Sequence, residues 1–277
     1  MGDQRFQTGE LILDRYRVQG VLGAGGVGVV YDTMDDRIGR AAAVKVLRRS
    51  AQDHRTAARR TVREARTLAS LSHPHLVTLL DFEYLDDGCP VLVMERVHGE
   101  SAAAVLQREG CLPVAAVVDI LRQSLGALAE LHAAGIIHRD LKPGNILLEQ
   151  VEPDRFNVKL IDFGIVQLVA DDGATALTLS GEVFGSPRYM APEQWTQKPV
   201  EPRTDLYALG LIAHVLLAGD HFIQVRNPVQ IFEAHLQPSR PHLTVTGAGE
   251  PVPPMLANLV HRAIQPNAEQ RFQTAAD

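Results

Sequence analysis

Apolar and polar residues alternate along short stretches of the first hundred residues, which is the pattern of half-buried β-strands. The alternation, rich in β-branched and aromatic side chains, predicts strands over residues 16–22, 29–31, 40–47, 76–84 and 91–95. Between the third and fourth strands, residues 54–72 repeat apolar side chains at helical spacing. One face of that helix would carry Val62, Ala65, Leu68 and Leu71. The first third of the chain is therefore predicted to be a small sheet with one helix.

Helical periodicity dominates the rest of the chain. Residues 114–134 form a long amphipathic pattern that stops at Gly135, and a short apolar strand is predicted over 158–161. A later segment opens at Thr204, a suitable N-cap, and ends at Gly219; it is apolar nearly all round, which indicates a buried helix. The last residues, 271–277, predict the start of another helix, so we expect a longer parent protein.

Five chemically different polar side chains lie close together in one stretch, residues 136–148. An imidazole, a guanidinium, a carboxylate, an ammonium and an amide fall within eight positions there, between an apolar pair and an apolar triplet. A charged turn would explain a single His-Arg-Asp tripeptide. That explanation weakens because a second carboxylate, Asp162, follows the strand at 158–161 and precedes Phe163 and Gly164. Asn145 and Asp162 together offer the oxygen ligands that magnesium takes, which leaves Asp140 as a base or orienting group.

A glycine-rich turn lies between the first two predicted strands. Gly23, Gly25 and Gly28 would let backbone amides approach phosphate oxygens, since no Cβ stands in the way. The same spacing also opens dinucleotide-binding folds, but those continue into a helix. Here β-branched residues and an aromatic follow, which favours a hairpin. A merely flexible hairpin tip is the alternative.

The pattern of apolar and polar residues does not decide whether two charged side chains face solvent. Lys45 interrupts the apolar strand at 40–47, and the alternation does not decide whether it faces solvent. Glu64 lies off the apolar face of the helix at 54–72, where a solvated glutamate with an i+4 partner would be ordinary. The pattern alone leaves both open.

These segments, taken in order, resemble the catalytic domain of the eukaryotic-like (Hanks-type) serine/threonine protein kinases, in their bacterial branch. The resemblance rests on the glycine turn, on Ala43-Val44-Lys45, on His138-Arg139-Asp140-Leu141-Lys142-Pro143-Gly144-Asn145, on Asp162-Phe163-Gly164 and on Ala191-Pro192-Glu193. It implies an α+β, bilobal protein-kinase-like fold. A small antiparallel β-sheet lobe with one main helix would span residues 16–97, and a larger, mainly helical lobe residues 98–277, so that the kinase domain fills 1–277.

The resemblance also implies a role for each polar residue. Asp140 would orient or deprotonate the acceptor hydroxyl, and Lys142 would steady the transferring phosphoryl group. Lys45 and Glu64 would form the activating ion pair. The metal ligands would be Asn145 and Asp162, and the cofactors ATP and Mg²⁺ or Mn²⁺.

Nucleotide contacts are implied mainly for the first hundred residues. Met94 would guard the back of the pocket, although it could equally be core filler. The backbone of Glu95 and Val97 would bond the adenine. The full implied set is Leu22, Gly23, Ala24, Gly25, Gly26, Val27, Gly28, Val30, Ala43, Lys45, Met94, Glu95, Val97 and Leu147.

Residues 164–193 correspond to an activation and substrate-contact loop. Thr178 and Ser180 are the expected sites of autophosphorylation, with Thr175 a weaker candidate, and Arg139 would pair with the added phosphate. Ser186 stands where the family usually has threonine, and it keeps a hydroxyl that would bond Asp140 and Lys142. Two structural contacts are also implied: Asp205 with the backbone of the catalytic loop, and Glu193 with Arg271.

Composition sets outer limits. The 277 residues carry a formal net charge of −6, which gives no electrostatic footprint for nucleic acid. Cys89 and Cys111 lack zinc-site or disulfide-framework spacing, so a reducing, cytoplasmic setting is expected. The most apolar run, residues 206–218, is shorter than the roughly 20 residues that span a bilayer. We expect no membrane contact from this stretch, although the parent protein could be anchored beyond residue 277.

The predicted function is transfer of the ATP γ-phosphate to serine or threonine hydroxyls of proteins, including the chain's own loop. The partners would be ATP and protein substrates, with a homodimer formed during autoactivation as a family expectation. A pseudokinase or scaffold is one alternative, but Lys45, Asp140 and Asp162 are all present. A small-molecule phosphotransferase is the other, and it would lack the Ala-Pro-Glu segment.

Overall fold

The computed structural model describes residues 5–26, 28–47, 71–163, 186–196 and 198–277. The chain divides into two compact units. The sheet unit comprises Met1–Ser72 and Val77–His98, and the helical unit comprises His73–Leu76 and Gly99–Asp277. The expected division into an antiparallel sheet lobe and a mainly helical lobe agrees with these two units.

The sheet unit contains a six-stranded antiparallel sheet in the order β1-β2-β3-β4-β6-β5. Its strands are β1 (Leu11–Ile12), β2 (Tyr16–Ala24), β3 (Gly28–Asp35), β4 (Arg40–Leu47), β5 (Leu79–Tyr84) and β6 (Pro90–Glu95). Alternate residues of the strands pack into one apolar cluster, which includes Tyr31, Val44 and Val93. Since side chains alternate across a strand, this cluster covers one face of the sheet.

The helical unit contains six helices and a three-stranded sheet of order β7-β8-β9 within its described residues. The strands are β7 (Glu100–Ser101), β8 (Ile146–Glu152) and β9 (Arg155–Leu160). The helices are α1 (Ala102–Glu109), α2 (Val114–Ala133), α3 (Pro192–Trp195), α4 (Pro202–Ala218), α5 (Pro228–Leu236) and α6 (Pro254–Ala263). Short 3₁₀ turns occur at Pro143–Asn145, Pro187–Tyr189 and Ala268–Gln270.

Helix α4 is the buried centre of the helical unit, as its all-round apolar pattern predicted. Every residue from Thr204 to Leu217 is buried. Gly210 permits close packing against α6, because a Cβ at this position would lie 2.6 Å from the Cβ of Ala263. The helix ends at Gly219, which adopts the left-handed conformation with φ 83°.

Several predicted boundaries were wrong. Strand β3 continues to Asp35 rather than ending at residue 31, and β9 begins at Arg155 rather than at residue 158. Strand β5 begins at Leu79 rather than at residue 76, because Leu76 instead forms an isolated bridge with Leu160. The N-cap of α4 is Glu201, and Thr204 lies inside the helix, where its hydroxyl donates to Glu193 Oε1 at 2.8 Å. Residues 271–277 form no helix, since the Arg271 side chain is drawn into the core by Glu193.

Two further expectations concern helices: that none crosses a membrane, and that one spans residues 54–72. Across the ranges the structure describes, no helix is long and apolar enough to cross a membrane. The helix predicted over residues 54–72 falls almost entirely outside the described residues.

Candidate active site

The polar stretch after α2 is held between two buried anchors. Helix α2 ends at Ala133, and Gly135 turns the chain with φ 76°. Ile136 and Ile137 are buried on one side of the stretch, and Ile146 is buried on the other. We call residues 138–145, which lie between these anchors, the catalytic loop, after the role that the family resemblance implies for them.

Asp140 is fixed by two donors on one carboxylate oxygen. Lys142 Nζ donates to Asp140 Oδ2 at 2.7 Å, and Asn145 Nδ2 donates to the same oxygen at 3.2 Å. Asn145 Nδ2 also donates to the Asp140 carbonyl at 2.7 Å. Within the described ranges, Asp140 Oδ1 accepts no hydrogen bond, so it can accept one from a ligand hydroxyl. This geometry suits a group that orients or deprotonates an alcohol.

The backbone of the catalytic loop is held by a buried carboxylate on α4. Asp205 is 1% exposed and accepts from the His138 N–H at 2.8 Å and from the Arg139 N–H at 3.0 Å. His132, near the end of α2, donates to Asp205 through Nε2 at 2.8 Å. A buried carboxylate needs such donors, because it has lost its water. The predicted contact between Asp205 and the loop backbone is confirmed.

Gln194 of α3 binds the same loop from its carbonyl side. Its Nε2 donates to the Arg139 carbonyl at 2.7 Å, and its Oε1 accepts from the Ala191 N–H at 2.9 Å. Arg139 has φ 68°, the left-handed region that non-glycine residues seldom adopt. The turn that presents Asp140 is therefore bound by hydrogen bonds on both its N–H and its C=O groups.

The two expected metal ligands are brought to the same end of a hairpin. Asn145 precedes β8 and Asp162 follows β9, where Ile146 pairs with Leu160 and the Ile161 N–H donates to the Asn145 carbonyl at 3.0 Å. The Asn145 amide nitrogen is used on Asp140, which leaves its Oδ1 as an acceptor. An amide oxygen and a carboxylate are hard donors that fit Mg²⁺, an ion that usually completes its shell with water and phosphate oxygens.

His138 and Phe163 pack against each other rather than taking part in polar contacts. Their ring centroids are 6.4 Å apart in an edge arrangement, and both side chains are buried. In the described part of the molecule, neither ring nitrogen of His138 has a hydrogen-bond partner. The two rings therefore align the segments that carry Asp140 and Asp162, as expected of packing residues.

In the sheet unit, the glycine turn is a hairpin, as predicted, and it does not continue into the helix of a dinucleotide-binding fold. Strand β3 follows the turn directly, and the Gly25 N–H donates to the Gly28 carbonyl at 2.9 Å. Gly28 is required by packing, since a Cβ there would lie 2.3 Å from the Val46 carbonyl oxygen of β4. Gly23, Gly25 and Gly26 have open space around the Cβ position, which leaves their backbone approachable.

Four of the expected nucleotide residues share one face of the sheet. Val30 is directly opposite Lys45, and Ala43 is directly opposite Met94. Because alternate residues of β4 point to opposite faces, this face lies across from the apolar cluster that contains Val44. Lys45 is only 6% exposed, which answers the question that the alternation left open.

The other expected nucleotide residues differ in their exposure and in which backbone groups remain available. The Glu95 N–H donates to the Thr78 carbonyl at 3.0 Å, so a nucleotide contact from this backbone would use the Glu95 carbonyl oxygen. Val97 is buried, Leu22 is exposed, and Leu147 is half-buried on β8. Val27, Glu64, Thr175, Thr178 and Ser180 lie outside the described residues.

The turn at Pro187–Tyr189 is supported by a buried hydrogen-bonded chain. His235 Nε2 donates to the Pro187 carbonyl at 3.0 Å, so its Nδ1 accepts from the Tyr207 hydroxyl at 2.7 Å. Burial lowers the pKa of His235 to about 4. The expected bond from the Ser186 hydroxyl to Asp140 or Lys142 is not found among the described hydrogen bonds.

Glu193 and Arg271 form the predicted buried pair. Arg271 donates to the two carboxylate oxygens at 2.8 and 3.1 Å, and its side chain is fully buried. Burial alone would raise the pKa of Glu193, but hydrogen bonding and charge from Arg271 leave that pKa below its ordinary value. This pair anchors the segment that carries Gln194.

His132, Gln194 and His235 were missed by the sequence analysis. Each acts through a single hydrogen bond to a residue at least 48 positions away. His132 gives a weak signal, since it is a polar residue in the last turn of a helix. Neither Gln194 nor His235 belongs to a recurring spacing.

Comparison with known proteins finds matches among protein kinases. The protein kinase domain model matches residues 16–276. The serine/threonine-protein kinase pkn3 of Myxococcus xanthus is 37% identical over 271 residues, which cover 97% of this chain and 49% of pkn3. PknA of Mycobacterium tuberculosis is 33% identical over 272 residues, covering 97% of this chain and 60% of PknA. The chain thus spans about half the length of these curated relatives.

Solved structures agree with the fold. The kinase domain of Mycobacterium tuberculosis PknI has a TM-score of 0.68 at 26% identity, covering 98% of this chain and 95% of that one. Rad53 residues 1–466 in complex with AMP-PNP has a TM-score of 0.74 at 26% identity, covering 95% of this chain and 64% of that one.

Proposed function

This chain belongs to the protein kinase family, and we propose that it transfers the γ-phosphate of ATP to serine or threonine hydroxyls of proteins. The observation that carries the proposal is the arrangement of Asp140, Lys142 and Asn145. One oxygen of Asp140 is fixed by two donors, and the other remains able to accept from an alcohol. A scaffold role does not require a carboxylate prepared in this way, and a small-molecule phosphotransferase would lack the Ala-Pro-Glu segment at residues 191–193.

In the proposed reaction, Asp140 orients the acceptor hydroxyl and accepts its proton through Oδ1. Lys142, held 2.7 Å from Asp140, places a positive charge where the transferring phosphoryl group carries negative charge. Asn145 Oδ1 and the Asp162 carboxylate would hold Mg²⁺. The bound ion would neutralise charge on the phosphate oxygens, and most of the remaining catalysis is positioning.

The sheet unit supplies the residues proposed for the nucleotide. Val30, Ala43 and Met94 offer an apolar surface for the base, and Lys45 on the same face would meet the phosphates and pair with Glu64. Amides of the glycine turn other than that of Gly25, whose N–H donates to the Gly28 carbonyl, would bind phosphate oxygens. The AMP-PNP bound to Rad53, a structure with the same fold, supports a nucleotide as the ligand.

The relatives' names support serine or threonine as the acceptor, since both pkn3 and PknA are serine/threonine kinases. Autophosphorylation at Thr178 or Ser180 is part of the same proposal, with Arg139 as the cation that pairs with the phosphate. The protein substrates of the whole protein are proposed only as a class.

The test is intact-mass spectrometry of the chain incubated with Mg·ATP and a generic serine/threonine peptide. We expect added phosphate on the peptide and on the chain. Asp140→Asn should abolish both, whereas Asp86→Asn, the same change in an exposed turn, should alter neither. ATP binding without phosphate on any protein or peptide would overturn the proposal and favour a scaffold.

A further inference from the structure

We propose that Gln194 is a positioning residue for Asp140, acting through the peptide group that joins Arg139 to Asp140. The inference rests on the proposed function, because it concerns the same catalytic loop. Its basis is the 2.7 Å hydrogen bond from Gln194 Nε2 to the Arg139 carbonyl, which links residues 55 positions apart.

This carbonyl belongs to the peptide plane that precedes Asp140. Holding the orientation of that plane restrains both ψ of Arg139 and φ of Asp140, and an uncompensated change in either dihedral would redirect the Asp140 side chain. Arg139 is already in the left-handed region with φ 68°, a conformation that persists in a non-glycine residue only when its surroundings hold it. Asp205 binds the His138 and Arg139 N–H groups, and Gln194 binds the carbonyl side.

The position of Gln194 is itself well determined. Its Oε1 accepts from the Ala191 N–H at 2.9 Å, which orients the amide so that Nε2 faces the loop. The preceding residue, Glu193, is locked by Arg271 in the core. The contact therefore transmits a fixed geometry from α3 to the residue before Asp140.

The chain offers an isosteric variant that separates the two contacts of this side chain. Gln194→Glu keeps an acceptor for the Ala191 N–H but replaces the Nε2 donor with an oxygen that repels the Arg139 carbonyl. Gln230→Glu is the matched control, because Gln230 is also the third residue of a helix that begins with proline. Gln230 is exposed, and among the described residues it makes no hydrogen bond to the catalytic loop.

Steady-state kinetics with a peptide acceptor should distinguish positioning from general destabilisation. We expect Gln194→Glu to lower kcat by roughly 10- to 100-fold, because small misplacements of a reacting group have effects of this size. KM for ATP and the melting temperature should stay near those of the parent and of Gln230→Glu. A kcat within twofold of the parent would overturn the proposal, and so would a fall in kcat matched by an equal loss in Gln230→Glu.

Hydrogen exchange provides a readout that does not need activity. The peptide covering residues 136–145 should exchange faster in Gln194→Glu than in the parent or in Gln230→Glu, and unchanged exchange would overturn the proposal. A parent chain that transfers no phosphate would defeat the proposed function, while the exchange result would still decide whether Gln194 holds the loop.

Discussion

The sheet of the sheet unit and the catalytic loop of the helical unit are held in place by different means. The sheet depends on a continuous apolar cluster, and one of its ion pairs, Arg17 with Asp36, lies at the surface between residues 19 positions apart. The catalytic loop depends on polar side chains that reach it from far along the chain. Asp205 binds it across 66 positions and Gln194 across 55.

A polar contact has a large effect on stability where its groups are buried and a small one where they are exposed. An exposed pair exchanges water for a partner, so the gain is small. A buried carboxylate such as Asp205 or Glu193 has no water to return to, and losing a donor leaves it unpaired. Polar substitutions should therefore matter greatly at the buried carboxylates near the loop and little at an exposed pair of the sheet such as Arg17 with Asp36.

The largest effect is expected for Asp140→Asn. Removing the proposed base should lower kcat for a peptide acceptor by about 10²- to 10⁴-fold. Stability should change little, because the amide can still contact Lys142 and Asn145 from a partly exposed position. Peptide kinetics and thermal melting of the same preparation test both parts, and retention of more than a tenth of the parent kcat would contradict the assignment.

The next effect concerns the buried pair beneath α3. Arg271→Met should cost about 3–5 kcal/mol of unfolding free energy, because Glu193 is left buried without its partner. Adding Glu193→Leu to the same chain should restore part of that loss, since both charges are then gone. Chemical denaturation of the three chains measures the coupling, and a loss below about 1 kcal/mol for Arg271→Met would contradict burial of the pair.

The sequence predicted the elements whose pattern is local. The alternation in β4, the hairpin at the glycine turn and the end of α4 at Gly219 all follow from neighbouring residues. Thr204 is the third residue of α4 rather than its N-cap, and its hydroxyl accepts from the Glu201 N–H at 3.2 Å. The same hydroxyl also donates to Glu193, a partner 11 positions away that the local pattern could not reveal. The predicted C-terminal helix failed for a similar reason, since Arg271 is committed to the core.

The candidate site was predictable to the extent that it lies in short motifs. Asp140, Lys142 and Asn145 fall within six positions, and their mutual contacts are local. The supporting residues Gln194 and His235 gave no signal, because a hydrogen bond between distant backbone and side-chain groups leaves no spacing to recognise. Asp205 could be placed only by resemblance to the family.

A pH effect of intermediate size is expected from the buried histidines of the helical unit. Burial lowers the pKa of His221 to about 3 and that of His235 to about 4, and Arg240 and Arg271 further disfavour a proton on His235. An unfolded histidine has a pKa near 6.5, so the unfolded state takes up protons first as the pH falls. Stability is fully present above about pH 6.5 and should decline toward pH 4, by up to about 1.4 kcal/mol per pH unit for each histidine.

Denaturation at pH 7.5, 6.0 and 5.0 would test this decline. His235→Gln, which keeps a donor for the Pro187 carbonyl, should reduce the slope by the share of one histidine. His98→Gln, at an exposed position, is the control and should leave the slope unchanged. Equal slopes in the parent and in His235→Gln would show that His235 is not buried in its neutral form.

The smallest effect should come from the surface pair of the sheet unit. Arg17 and Asp36 are 48% and 35% exposed, so their coupling in a double-mutant cycle of Arg17→Ala and Asp36→Ala should be about 0.2–1 kcal/mol. Raising the salt to about 1 M shortens the screening length to about 3 Å and should remove most of that coupling. The same salt should leave the coupling of Glu193 and Arg271 nearly intact, because no ions reach a fully buried guanidinium. Similar salt dependence for both pairs would contradict the distinction between the exposed pair of the sheet and the buried pair beneath α3, since burial would then not be what separates their energies.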